Sequence, residues 1–378
     1  MTDRTLKIFL IAGEPSGDRL GAALMAGLKS LTQVKFHGIG GPLMQAEGLT
    51  PQFPMSELSI MGLVEVLPKY FHLKRRIAEA AEAALALHPD AVLTIDSPDF
   101  CLRVAAIIKA ARPAQRVIHY VAPSVWAWRP HRAAKMARVV DHVLALLPFE
   151  PPYMTAAGMT CDFVGHPVVA EPLATPGERA AMDGTRPLIL ALPGSRRGEV
   201  TRLAPVIGAT LARMVKIFPT LRVVLPTVPH VQALVRDLVR DWPVQPQIVT
   251  DLVLKRAAFA AADVAIAASG TVSLELAANH LPMVIAYRMN PVTHFLTRRA
   301  LLIDTVTLVN LVSETRVVPE FLGPRCTPDL IAPAVLALLR DSHAQDAAMT
   351  LTMQRLGLGG EAPGLRAARS VLEHLSGG

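Results

Sequence analysis

Asp96 is the first residue whose surroundings suggest chemistry: it closes the apolar run Ala91 to Ile95 and is followed by Ser97, Pro98 and Asp99. An acid at the carboxyl end of a strand, held in place and facing a ligand, can act as a general base. Before Pro98 the same residue could instead form an Asx-type turn, and Asp99 is placed to cap the following helix. A second segment, Gly13 to Asp18, follows the run Lys7 to Ala12 and carries Glu14, Ser16 and Gly17, small or polar residues that let a substrate approach the backbone and a helix start. It lacks the three spaced glycines of a dinucleotide-binding turn, and a tight turn with Asp18 as N-cap explains it equally well. A third, Ala122 to Trp128, places Ser124 and two of the three tryptophans, Trp126 and Trp128, ahead of Arg129, His131, Arg132, Lys135 and Arg138. It could stack on a sugar or hold a phosphate, or be aromatic packing beside a solvated basic helix.

The second half repeats the pattern with groups suited to a diphosphate. Gly194, Ser195 and Arg196 follow the run Leu188 to Leu192 and combine a strand-to-helix turn with a guanidinium. Ser269, Gly270 and Thr271 follow Val264 to Ala267 and expose backbone N–H groups where a helix begins. Glu275, four residues beyond Thr271, would repel phosphate, so its fitting partner is a neutral diol such as a ribose; favourable interaction with a helix dipole is the plainer role. Arg288 and Asn310 could each touch a nucleotide or its sugar, or serve as surface and capping residues, and His166 could line a cleft between domains.

The elements that must position these groups alternate. Apolar runs of strand length recur at Lys7–Ala12, Val34–Ile39, Ala91–Ile95, Val117–Val121 and Val143–Leu147, with helical spacing between them over Asp18–Leu31, Ile77–Leu87 and Leu102–Ala111. Near-continuous apolar strands separated by helices predict parallel sheets covered on both faces. Residues 171–186 turn polar and proline-rich, after which the alternation restarts, so the chain predicts an α/β fold of two Rossmann-like domains, 1–170 and 171–345. A helical segment over 346–378 either closes the second domain or crosses back onto the first.

Composition narrows the partners. The chain is 51% hydrophobic and 18% charged, which excludes disorder, and charged residues interrupt every long apolar run, which argues against a membrane span. Its start lacks a signal peptide's pattern, giving a cytoplasmic expectation. Three scattered cysteines without CxxC spacing indicate neither a disulfide framework nor a zinc site. The net charge of +7 favours an anionic partner; with 5% aromatics and no nucleic-acid-binding motif, an anionic membrane surface or a phosphorylated substrate suits it better than nucleic acid.

The ordered segments AGEPSGD at 12–18, IDSPDF at 95–100, HYVAPSVWAWR at 119–129, LPFE at 147–150, GHP at 165–167, LPGSR at 192–196, ASGTVSLE at 268–275 and YRMNP at 287–291 resemble the lipid-A-disaccharide synthases. The resemblance implies a GT-B arrangement with an interdomain cleft, an acceptor-binding domain first and a UDP-sugar domain second, and neither cofactor nor metal. It implies an inverting transfer from UDP-2,3-diacylglucosamine to 2,3-diacylglucosamine 1-phosphate, giving a β-1,6-linked lipid A disaccharide and UDP. Asp96 would be the general base. Gly194, Ser195, Arg196, Ser269, Gly270, Thr271, Glu275, Arg288 and Asn310 would hold the UDP-sugar, while Glu14, Ser16, Gly17, Asp18, Ser124 and Trp126 would shape the acceptor side. Pro15 and Arg197 depart from the pattern expected of the relatives. The resemblance also suggests a homodimer and a peripheral location on the inner face of the inner membrane. The segment Met55 to Arg76, apolar with Lys69, Lys74, Arg75 and Arg76, suits an anionic lipid surface or, equally, ordinary packing. Two other functions fit the same architecture: a UDP-N-acetylglucosamine 2-epimerase-like isomerase, and a non-catalytic nucleotide-sugar-binding membrane sensor.

Overall fold

A computed structural model describes residues 4–58, 63–289 and 299–376, with the backbone alone for 63–70. Part of the Met55–Arg76 segment and the last two residues of the YRMNP motif, Asn290 and Pro291, therefore lie outside the described side chains. The chain forms two compact units, residues 1–170 with 359–378, and residues 171–358.

The first unit is built on seven parallel strands: β1 (Leu6–Ala12), β2 (Val34–Ile39), β3 (Thr50–Pro51), β4 (Ala91–Ile95), β5 (Val117–Tyr120), β6 (His142–Ala145) and β7 (Thr160–Phe163). Their order is β3-β2-β1-β4-β5-β6-β7. Every residue of β4 and β5 is buried, as strands covered on both faces require. Helices α1 (Pro15–Leu31), α2 (Pro42–Ala46), α3 (Leu63–Leu87), α4 (Pro98–Ala111), α5 (His131–Met136) and α6 (Pro151–Thr155) connect the strands. Ala12 pairs with Ile95 and Ile95 with Tyr120, so β1, β4 and β5 end side by side. The connections on the two sides of the β1–β4 pair run in opposite directions, which makes this edge the topological switch point where α/β sheets bind ligands.

The C-terminal helix, Pro363–Ser376, belongs to this unit and packs on α1. Ser370 Oγ meets His142 Nε2 at 2.8 Å and donates to Asp162 Oδ2 at 2.6 Å, the His142 and His374 rings stack at 4.7 Å, and Arg366 donates to the Phe163 carbonyl at 2.7 Å.

The second unit carries six parallel strands, β8 (Leu188–Leu192), β9 (Arg222–Pro226), β10 (Gln247–Val249), β11 (Val264–Ala268), β12 (Met283–Tyr287) and β13 (Glu320–Leu322), in the order β10-β9-β8-β11-β12-β13. Among the described residues its helices include α7 (Pro176–Ala180), α8 (Arg197–Val215), α9 (Pro229–Val239), α10 (Leu252–Ala261), α11 (Val272–Ala278), α12 (Leu308–Ser313), α13 (Pro328–Arg340) and α14 (His343–Arg355). Here the switch point lies between β8 and β11, the strands preceding the two loops read as diphosphate-binding.

Several boundaries differ from the sequence reading. The linker holds a helix, α7, because Thr175 and Glu178 close a reciprocal capping box over 2.8 and 3.2 Å. The helical segment placed at 346–378 is two helices: Gly357 and Gly359, both at positive φ, interrupt it, and the change of unit falls at 358/359 rather than 345/346. Among the described residues, no helix is long and apolar enough to cross a membrane.

Candidate active site

Backbone strain marks the edge where β4 and β5 end. Asp96 (φ 52°), Ser97 (φ 44°), Val121 (φ 85°) and Arg129 (φ 52°) all occupy the left-handed half of conformational space, which a β-branched residue such as Val121 rarely enters. Non-glycine strain of this kind costs about 1–3 kcal/mol per residue and gathers at ligand-binding edges. Two hydrogen bonds hold the conformation, Asp96 N–H to the Tyr120 carbonyl and Val121 N–H to the Leu144 carbonyl, both at 3.0 Å. Gly13 allows the loop after β1 to close on the loop after β4, since a Cβ there would stand 2.7 Å from Ser97 Oγ. The half-buried Asp96 carboxylate has no hydrogen-bond or ion-pair partner among the described residues. Ser97 occupies the N-cap position of α4, and Asp99 is exposed in the helix's first turn, so it complements the helix dipole instead of capping.

Asp18 has a different role from those read in the sequence. The helix starts at Pro15 with Glu14 in the N-cap position, and the Asp18 carboxylate, 3% exposed, accepts from the N–H groups of Gly41, Leu43 and Met44 at 2.9–3.0 Å. It thereby caps α2 and ties the loop after β2 to α1. Glu14 is half-buried, Ser16 exposed and Gly17 buried beneath them.

Ser124 is exposed and Trp126 half-buried on the loop after β5. The Trp126 indole packs edge-on against Phe149, with ring centres 5.1 Å apart and planes at 82°, and its Nε1–H donates to Glu150 Oε1 at 3.2 Å. Glu150, which closes the LPFE motif, has no role in the sequence reading. Burial pushes its carboxyl up to about 7 against the opposing effect of the Leu147, Trp126 and Leu146 N–H groups. His166 is 9% exposed, accepts from the Val168 N–H at 3.1 Å and is pushed down to about 4 by burial, which makes it a structural histidine.

In the second unit, Gly194 (φ +107°) turns the chain from β8 into α8 over the Glu199 side chain; a Cβ on Gly194 would fall 2.7 Å from Glu199 Oε2. Glu199 in turn takes Arg196 Nη1 at 3.3 Å, so the expected diphosphate-binding guanidinium rests on a carboxylate while remaining 69% exposed. Ser195 is exposed, and its carbonyl accepts from His230 Nε2 at 2.9 Å. On the other side of the switch point, Gly270 and Thr271 are exposed and Ser269 half-buried. Glu275, in α11, is ion-paired with Lys255 of α10, a partner that spacing did not reveal; a diol would share its carboxylate with that ammonium. Arg288 lies exposed just past β12.

Asn310 corrects the sequence reading. It is 1% exposed, its amide nitrogen donates to Thr305 Oγ1 at 3.1 Å and to the Val318 carbonyl at 3.0 Å, and its oxygen accepts from the Val318 N–H at 3.0 Å. With both amide hydrogens used and the side chain buried, Asn310 braces the segment before β13 and is withheld from a sugar in this conformation. Glu320, unread in the sequence, completes the brace by accepting from Thr305 Oγ1, Val306 N–H and Thr307 N–H at 2.6–3.0 Å.

The first unit thus presents an uncommitted carboxylate on a strained edge, and the second a turn of small residues with exposed guanidinium and hydroxyl groups. Solved structures with the same fold include a putative UDP-N-acetylglucosamine 2-epimerase from Listeria monocytogenes (TM-score 0.66, 14% identity, 99% of this chain and 98% of that one) and MurG from Acinetobacter baumannii (TM-score 0.57, 16% identity, 99% and 100%). In sequence, the chain is 63% identical to the lipid-A-disaccharide synthase of Ruegeria pomeroyi over 99% of its length and 96% of the relative's. It is 48% identical to that of Rhodospirillum centenum over 98% and 94%. Residues 8–365 match the lipid-A-disaccharide synthetase family, and the chain belongs to that family.

Proposed function

We propose that this chain is an inverting glycosyltransferase that joins UDP-2,3-diacylglucosamine to 2,3-diacylglucosamine 1-phosphate. The second unit binds the donor and the first the acceptor. Asp96 takes the proton from the acceptor's 6-hydroxyl as that oxygen attacks the anomeric carbon on the face opposite UDP. The C–O bond to UDP breaks in the same step, so the product is a β-1,6-linked disaccharide 1-phosphate. Arg196 and the hydroxyls of Ser269 and Thr271 neutralise the diphosphate that leaves, and Glu275, oriented by Lys255, holds the ribose.

The observation that carries this reading is the strained Asp96–Ser97 pair, which leaves a carboxylate without a partner among the described residues at the switch point. Family membership favours transfer over epimerisation, since the epimerases resemble the chain in fold alone. The purified protein given both substrates is expected to release UDP and disaccharide in equal amounts. Turnover of UDP-sugar without the acylated acceptor would identify an isomerase and overturn the assignment.

The acylated substrates place the enzyme on the cytoplasmic face of an anionic membrane, with contact through the segment ending at Arg76. Phe71 is 81% exposed there, and Lys74 and Arg75 are exposed. Arg76 is not available for lipid: it holds Glu57 at 2.8 Å, Glu79 at 2.6 Å and the face of Phe53 at 4.5 Å. Reversing Lys74 and Arg75 to glutamate is expected to weaken binding to phosphatidylserine vesicles by roughly tenfold or more, at about 1 kcal/mol per basic residue near such a surface. Unchanged co-sedimentation would rule the contact out.

A further inference from the structure

We propose that Glu150 is a positioning residue for the acceptor: its buried carboxylate joins the loop after β6 to the loop after β5 and fixes the Trp126 ring that meets the acceptor sugar. The inference rests on the reading that Trp126 faces the acceptor.

Glu150 is 4% exposed, yet it spends its carboxylate on three N–H donors: Oε2 accepts from Leu146 at 3.1 Å and Leu147 at 2.9 Å, and Oε1 accepts from the Trp126 indole at 3.2 Å. Burying a carboxylate is costly unless its bonds are needed. The two backbone donors lie within four residues of Glu150 and shape its own turn, whereas Trp126 is 24 residues away on a neighbouring loop. That long-range bond is the one a turn alone does not require. Val125 and Ala127, flanking Trp126, are buried and anchor the backbone, so the indole bond and the Phe149 edge contact decide where the ring points. An aromatic ring locked beforehand loses less freedom when a sugar stacks on it. Glutamine cannot substitute, because its amide offers one accepting oxygen and one donating nitrogen, and either the backbone pair or the indole would then face a donor.

The test uses the full chain and both glycolipid substrates, comparing wild type, Glu150→Gln, Trp126→Phe and the double variant. Each single change is expected to raise the acceptor KM about tenfold, with donor KM and UDP affinity within about twofold of wild type. The double variant should match the singles, since all three lose the same bond. Glu150→Asp, which keeps the charge with a shorter reach, should fall between wild type and Gln and serves if Gln does not fold. Acceptor KM unchanged in the Glu150 variants while Trp126→Phe raises it, or effects that multiply in the double variant, would overturn the positioning role and leave Trp126 on the acceptor side. No effect of Trp126→Phe on any acceptor parameter would overturn it by removing Trp126 from that side. Absence of disaccharide formation by the wild type would instead refute the transferase reading itself.

Discussion

Asp96→Asn is expected to lower kcat by about 10²- to 10⁴-fold, the range a positioned general base contributes, while leaving UDP affinity within about twofold. Asparagine is the informative replacement. Asp96 sits at φ 52° beside Ser97 at φ 44°, and asparagine, like aspartate, tolerates that region through its short polar side chain. Alanine at the same φ would add backbone strain and confuse loss of a base with loss of the loop's shape. The carboxylate has no protein partner among the described residues, so removing its charge leaves no buried group orphaned. A stopped-assay kcat with separately measured UDP binding by calorimetry decides the matter. Near wild-type turnover would remove Asp96 from the chemistry, and loss of UDP binding would show that the variant damages more than one step.

The parts of the fold that spacing made legible are the buried ones. Strands β4 and β8 fall where the apolar runs Ala91–Ile95 and Leu188–Leu192 place them, because central strands covered on both faces leave little choice of residue. The edge strands β7 and β13 were not legible. Thr160–Phe163 alternates polar and partly exposed residues as an edge strand does, and four such residues carry no distinctive pattern. In the site, strand-end loops marked the right neighbourhood, since that rule depends on topology. Individual roles were another matter. Asp18 and Asn310 look like ligand groups in sequence, yet each satisfies backbone or side-chain partners at least five residues away. Glu150 and Lys255 escaped notice for the same reason: each meets a partner at least 20 residues away that the fold brings up. The TxxE signal at Thr175, by contrast, is legible in the sequence even among the prolines and glycines around it.

Acid should unfold the first unit well before it affects the second. His119 accepts or donates across 2.7 Å to Thr94 beneath the active edge, His142 joins Thr160 and Ser370, and His166 holds the turn after β7; burial pushes all three down to about 4. A histidine held neutral below its unfolded value of about 6.5 binds fewer protons folded than unfolded. Its contribution is therefore present above pH 6.5 and is lost as pH falls through 4. Between pH 7 and 5 each loses about 2 kcal/mol. Glu150, pushed up to about 7, works in the opposite sense: it binds a proton more readily folded, so its contribution grows by about 2 kcal/mol over the same interval. These four groups together leave the first unit about 3–4 kcal/mol weaker at pH 5, and His374, stacked on His142 and also pushed down by burial, acts in the same direction as the three histidines. The His142 and Ser370 contact links the C-terminal helix to β6, so that helix should be released in the same transition. Urea unfolding followed by hydrogen exchange at pH 7 and pH 5 reads both units separately. His119→Gln, which keeps a polar partner for Thr94 without a titrating ring, should recover about 2 kcal/mol of the pH difference. Equal acid sensitivity of the two units, or an unaltered slope in His119→Gln, would show that these histidines do not govern the first unit's response to pH.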